Sequence, residues 1–180
     1  MITSYHLFLN EGVNGSPFNE IIDYDGSSFT YTINAGDLVG THTVEVGGLY
    51  RIKTKSENSI DLSLFSEELI VALARKPETP DAPSFDTIES NRFQNALVWI
   101  EGSSIDIAIS GYKLYSDNGL PGNRDLVYDG TGETEILRFA HMNLITGTQY
   151  YYTLEVLNFN GASIESAWVE RPACEVPQNF

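Results

Sequence analysis

The residues in this chain best suited to soft-metal or nucleophilic chemistry are three histidines, His6, His42 and His141, and one cysteine, Cys174. A zinc site needs such ligands in closely spaced groups, and here each stands alone in sequence. No Gly-x-Ser-x-Gly elbow is present. The stretch "DGTGETEI" (129–136) lacks the Gly-Lys-Ser/Thr of a phosphate loop and reads as a hairpin turn. Hard oxygen ligands are available at Asp23 and Asp25 in "DYDG" and at Asp117 and Asn118 in "SDNG". Calcium takes about six to eight oxygens, and neither stretch has the spacing of a full loop. Asx residues also serve turns for backbone reasons. The sequence therefore assigns no catalytic, cofactor-binding or metal residue. Asn14-Gly15-Ser16 is the one N-glycosylation sequon, followed by an unfavourable Pro17, so Asn14 is the candidate modified residue.

The whole-chain charge narrows the partners. A formal charge of −15 over 180 residues argues against nucleic acid, whose phosphates need Lys and Arg to replace counterions. It also repels an anionic membrane surface. The longest apolar run, Leu69 to Ala74, is too short to insert in a bilayer. "MITSYHLFLN" has neither the basic start nor the apolar stretch of a signal peptide, so targeting segments are expected outside this sequence if the protein is exported. The lone cysteine has no partner for an intrachain disulfide. Protein remains as the partner class.

The elements that would position these residues are strands. Ten Tyr, nine Phe and fifteen Gly, with many Thr and Ile, favour strands and tight turns, and no helical stripe appears. Two segments repeat 100 positions apart: "VEVGGLY" (44–50) and "LITGTQY" (144–150) share an aliphatic residue, Gly three later and Tyr three after that. Asn58, Ser63 and Ser66 continue the match to Asn158, Ser163 and Ser166. Upstream, Tyr5 matches Tyr112 and Gly12 matches Gly119, with an offset that drifts as loop insertions would make it.

Period-2 alternation runs through both copies. Tyr150, Tyr152, Leu154 and Val156 offer one face to a core. The same face in the first copy is Tyr50, Ile52, Thr54 and Ser56, with Arg51, Lys53 and Lys55 opposite, which predicts a weaker core there. "NALVWI", "GYKLYS", "DLVYDG" and "ILRF" are further strand candidates, and "ESAWVERP" places Trp168 on the last one. "RKPETPDAP" reads as a linker between copies and "RPACEVPQNF" as a second such stretch.

Leu144, Gly147, Thr148 and Tyr150, followed by the alternation to Asn158 and Gly161, resemble the fibronectin type III module. Trp99 and Tyr112 sit where such modules carry their core Trp and Tyr. The resemblance implies an all-β fold of tandem immunoglobulin-like sandwiches: a partial module at 1–76 (strands C to G), a complete module at 77–175, and at 176–180 the start of a following module or a tail. It implies a tyrosine corner at Tyr150 and structural core roles for Trp99, Tyr112, Leu144, Gly147, Tyr150, Tyr152, Leu154, Val156 and Tyr50. Between Pro83 and Tyr112 lie strands A and B, whereas only four residues precede Tyr5, so the first copy lacks both. Two readings stand open: a window on a longer array, or strands supplied in trans by a neighbour. "GYKLYSDNG", "LVYDGTGE" and "LNFNGAS" resemble repeats of large ciliate-like protist surface proteins.

The function implied is a non-catalytic structural or adhesive module of an extended extracellular or cell-surface array, with filament formation through strand complementation as one form of it, and neighbouring modules or self-assembly as partners. An intracellular scaffold and an accessory module of a larger enzyme are the alternatives.

Overall fold

The computed structural model describes residues 1–12 and 15–175. Asn14 and the 176–180 segment lie outside the described residues. The described residues form fourteen strands: β1 (Ile2–Asn10), β2 (Asn19–Glu20), β3 (Leu38–Val39), β4 (His42–Thr43), β5 (Leu49–Asn58), β6 (Leu69–Ala72), β7 (Ser84–Phe85), β8 (Gln94–Val98), β9 (Ile109–Ser116), β10 (Asp125–Thr131), β11 (Arg138–Met142), β12 (Gln149–Asn158), β13 (Gly161–Ala162) and β14 (Val169–Pro172). The described residues form no helix, so none of them could cross a membrane as an apolar helix. The strands divide into two compact units, Met1–Ala74 and Arg75–Phe180.

Unit 2 is a two-sheet sandwich. One sheet runs β10-β9-β12-β13, with β14 also pairing β12, and the other runs β11-β8-β7. All pairings are antiparallel. The alternation read from the sequence is the reason for this layering: Tyr112, Leu114, Tyr152, Leu154 and Val156 point inward and are completely buried. Leu97, Trp99, Phe85 and Phe139 meet them from the opposite sheet, and together they form one core cluster. Burying apolar surface on two facing sheets supplies the main stabilisation, at about 25 cal/mol per Å².

Unit 1 has the sheet β2-β1-β5-β6 and a small β3-β4 hairpin. Its register repeats that of unit 2. Tyr5 stands opposite Ser56 and Leu7 opposite Thr54, as Tyr112 stands opposite Val156 and Leu114 opposite Leu154. No counterpart of the β7-β8-β11 sheet occurs among the described residues of unit 1. Its core is a smaller cluster of Leu9, Ile21, Val39, Val44 and Tyr50.

Two stretches differ from the sequence reading. Arg171 and Pro172 of "RPACEVPQNF" do not form a linker: they end β14, opposite Tyr150 and Gln149. Pro172 occupies the end of an edge strand, where a missing N–H costs no ladder bond. Trp168 lies just before β14 and is part-exposed. Likewise "RKPETPDAP" is bound to unit 2: Arg75 pairs with Asp106, the Glu78 N–H donates to Ser103 O, and Pro77 and Pro83 are buried.

Candidate interaction surfaces

The corner between β11 and β12 is built from its glycine upward. Gly147 takes a φ of 82°, which lets the chain turn and lets the Gly147 N–H donate to Ala173 O at 2.8 Å. The turn brings the Tyr150 hydroxyl within 2.9 Å of the Ile145 N–H, from which it accepts, while the ring remains buried. Unit 1 repeats the arrangement. Gly47 has a φ of 87°, its N–H donates to Leu73 O, and Tyr50 Oη accepts from Glu45 N–H at 2.7 Å. Further along, Ser163 and Ser166 hydroxyls accept from the Val156 and Leu154 N–H groups, and Ser63 and Ser66 do the same for Ser56 and Thr54. Asn10 and Asp117 also match: each side chain accepts from the amide two residues on and from one on the neighbouring strand, Arg51 or Tyr151.

Trp99, Tyr112, Leu144, Tyr150, Tyr152, Leu154 and Val156 all lie in the unit 2 core, and Tyr50 lies in that of unit 1. Gly147 is at the exposed corner. Leu97 and Leu114, also completely buried, were not singled out from the sequence. Their alternation with Trp99 and Tyr112 carried the signal.

The titratable groups serve structure. Tyr152 Oη accepts from Asn95 Nδ2 at 3.1 Å and lies 3.1 Å from His141 Nδ1. Burial raises the Tyr152 pKa and lowers that of His141. His6 sits between Glu20 (Nδ1 to Oε1, 2.5 Å) and Glu57 (Nε2 to Oε2, 3.2 Å), and those hydrogen bonds raise its pKa. Asp25 accepts from the Ser28 hydroxyl and from the Ser28 and Ser27 N–H groups, which depresses its carboxyl to about 2. Asp117 is taken up by backbone amides, and Asn118 Nδ2 donates to Asp125. Among the described residues no three His, Cys, Asp or Glu groups are placed to hold a metal.

Two surfaces remain. On the outer face of the unit 1 sheet, Phe8, Phe18 and Phe65 pack together, with Lys53 Nζ 4.5 Å from the Phe18 centroid and Lys55 Nζ 4.3 Å from that of Phe65. The inner face is partly open. Tyr5, Leu7 and Ile52 are only half-buried and Thr54 is exposed, whereas their unit 2 counterparts Tyr112, Leu114, Tyr152 and Leu154 are sealed. A cleft of about 330 Å³ lies over them, lined also by His6, Tyr24, Phe29, Tyr31 and Ile33.

The sheet order of unit 2 and the corner tyrosine define an all-β sandwich of the fibronectin type III and immunoglobulin kind, and one solved structure shares that fold. The FN1–FN3 domains of chicken CNTN1 align with 96% of this chain at a TM-score of 0.55 and 13% identity, and the chain spans 56% of that structure's length. The sixth fibronectin type III domain of human fibronectin type III domain containing protein 3 aligns with 59% of this chain and 94% of its own, at a TM-score of 0.48 and 20% identity. A further fibronectin type III domain of that human protein covers 57% of this chain and 91% of its own, at a TM-score of 0.46 and 25% identity. No protein-family model and no curated protein sequence matches the chain.

Proposed function

We propose that the chain consists of two diverged copies of one module, at 1–76 and 77–175, and serves as a non-catalytic structural or adhesive segment of an extended array at the cell surface. The observation that carries this reading is the shared corner: Tyr50 and Tyr150 each accept from the amide five residues earlier, with Gly47 and Gly147 both at positive φ. Two sheets built on one register, with Asp25 and Asp117 bonded to turn amides and His141 packed on Tyr152, present surface and spacing. The resemblance to ciliate-like protist surface repeats supports the location, and strand complementation between neighbours would give filaments.

The test is the intact mass of the denatured native polypeptide, with antibody staining of unpermeabilised source cells. A mass well above 20.0 kDa with surface staining is expected. Staining only after permeabilisation would favour an intracellular scaffold, and a catalytic domain in the flanking sequence would favour an enzyme accessory.

A further inference from the structure

His6 stands in β1 with a carboxylate at each ring nitrogen. Its Nδ1 lies 2.5 Å from Glu20 Oε1 on β2, and its Nε2 lies 3.2 Å from Glu57 Oε2 on β5. Ser4 Oγ, on the same face of β1, donates to Glu57 Oε2 at 3.0 Å and lies 3.4 Å from His6 Nε2. An ionised carboxylate only accepts, and the Ser4 hydroxyl proton is already given to Glu57. Each hydrogen-bond partner of the ring is therefore an acceptor. Only the imidazolium, with an N–H on both nitrogens, satisfies them together. A neutral ring has one N–H and leaves one of the two carboxylates facing a lone pair.

The other ionisable groups near the ring have partners of their own. Lys55 stands opposite His6 in the β1–β5 register, but its Nζ lies 4.3 Å from the Phe65 centroid and 5.9 Å from that of Phe8. Asp25 lines the same hollow as His6 and Glu20, with its carboxylate bonded to Ser27 and Ser28. Tyr5, Tyr24 and Tyr31 are the phenols that line this hollow or the cleft beside His6. Hydrogen bonds to Glu20 and Glu57 raise the His6 pKa, and the bond from His6 lowers that of Glu57. The bridge is thus complete below the unfolded histidine value near 6.5 and is lost as pH rises through the folded value.

What the ring ties down is small. β2 has two residues, with Glu20 opposite Phe8 and Asn19 opposite Leu9. Two backbone bonds then hold the following segment to β1: Ile21 N–H to Leu7 O and Tyr5 N–H to Gly26 O, both 2.8 Å. Ile21 is buried in the unit 1 core, so release of this segment is a local opening and the closed form remains dominant.

We propose that His6 is a pH-dependent latch: as an imidazolium it bridges Glu20 to Glu57 and holds β2 and the segment through Gly26 against β1, and on losing its proton it lets them open more often while the β1–β5–β6 sheet stays formed. Opening uncovers the Tyr5 N–H and the Leu7 C=O on that edge of the sheet, so the latch sets how available the edge is. It is internal to unit 1 and stands whatever the role of the chain.

The test uses the full chain, isotope-labelled for NMR. Long-range proton–nitrogen spectra read the protonation of the His6 ring, and amide exchange, corrected for its intrinsic pH dependence, reads opening. Both ring nitrogens are expected to carry protons at pH 6. Between pH 6 and 8.5 the protection of the Ile21 and Tyr5 amides is expected to fall about threefold to fivefold, as partly exposed ion pairs allow, with its midpoint at the His6 titration. Protection in the β5–β6 pairing should stay constant. His6→Lys, which keeps a cation through this range, is expected to hold protection high at every pH, and Glu20→Gln to hold it low. A ring with a single N–H at pH 6 overturns the proposal, as does protection that does not follow the His6 titration or a pH dependence that persists in either variant. A loss shared equally by β5 and β6 also overturns it, since His6 then contributes only to the stability of unit 1 as a whole. If His6→Lys does not fold, the wild-type titration and Glu20→Gln, whose side chain is 45% exposed, decide between these outcomes.

Discussion

The guanidinium of Arg124 lies 3.4 Å from the centroid of the Tyr115 ring. It also pairs with Glu155 at 2.8 Å and Glu165 at 2.5 Å, so one cation ties Tyr115 of β9 and Glu155 of β12 to Glu165 of the segment between β13 and β14. At the corresponding positions of unit 1, Phe8 keeps an aromatic, Phe65 stands where unit 2 has the Glu165 carboxylate, and Lys55 is a cation where unit 2 has the Glu155 anion. Both faces therefore place a cation on an aromatic ring, but from different strands. Arg124→Ala is expected to lower unit 2 stability by about 1 kcal/mol, because the groups are partly exposed and salt-screened. Thermal melts at low and high salt check it, and the loss should shrink as salt rises.

Tyr150→Ala removes a buried aromatic and is expected to cost unit 2 about 3–5 kcal/mol. Tyr150→Phe keeps the ring, leaves the Ile145 N–H without its acceptor, and should cost about 1 kcal/mol. Tyr50→Phe should act on unit 1 alone. Calorimetry of the three variants reads this directly, and a Tyr150→Ala chain that melts unchanged would remove the corner from the account.

The two units are expected to respond to pH with opposite slopes. His6 has its pKa raised by hydrogen bonds to Glu20 and Glu57, so its contribution is complete below the unfolded value near 6.5 and is lost as pH rises through the folded value. His141 has its pKa lowered by burial. The unfolded chain takes up that proton first, so unit 2 loses stability as pH falls below about 6.5. Melts of both transitions between pH 5 and 8, with Glu20→Gln flattening the first slope and His141→Phe the second, are the check. Parallel slopes in both units would contradict it.

Gly12 has a φ of 74°, and a Cβ there would sit 1.5 Å from Leu49 O. Gly12→Ala must therefore move the start of β5 as well as accept a strained backbone, at a cost of about 1–3 kcal/mol from the backbone conformation alone. Unit 1 should melt earlier, and hydrogen exchange at Leu49–Ile52 should accelerate. Unchanged exchange there would mean that the loop yields instead of the strand.

Much of this architecture was legible in the chain. Alternation at Tyr150–Val156 fixes which side chains face inward, because successive residues of a strand point to opposite faces. The Gly–x–x–Tyr spacing fixes the corner, because only a residue tolerant of positive φ lets the tyrosine hydroxyl return to the backbone five residues earlier.

Tertiary structure decided the rest. Arg171 and Pro172 became strand because β12 offered Gln149 and Tyr150 as partners, a long-range pairing that local proline content argues against. Arg124, Tyr115, Glu155 and Glu165 come from four separate stretches and meet only when β9 and β12 pair. Sequence alone marked the inner face of unit 1 as smaller and more polar. Which half of it is covered depends on where the loop carrying Tyr24, Ile33 and Val39 settles, and that follows from packing, which no local pattern encodes.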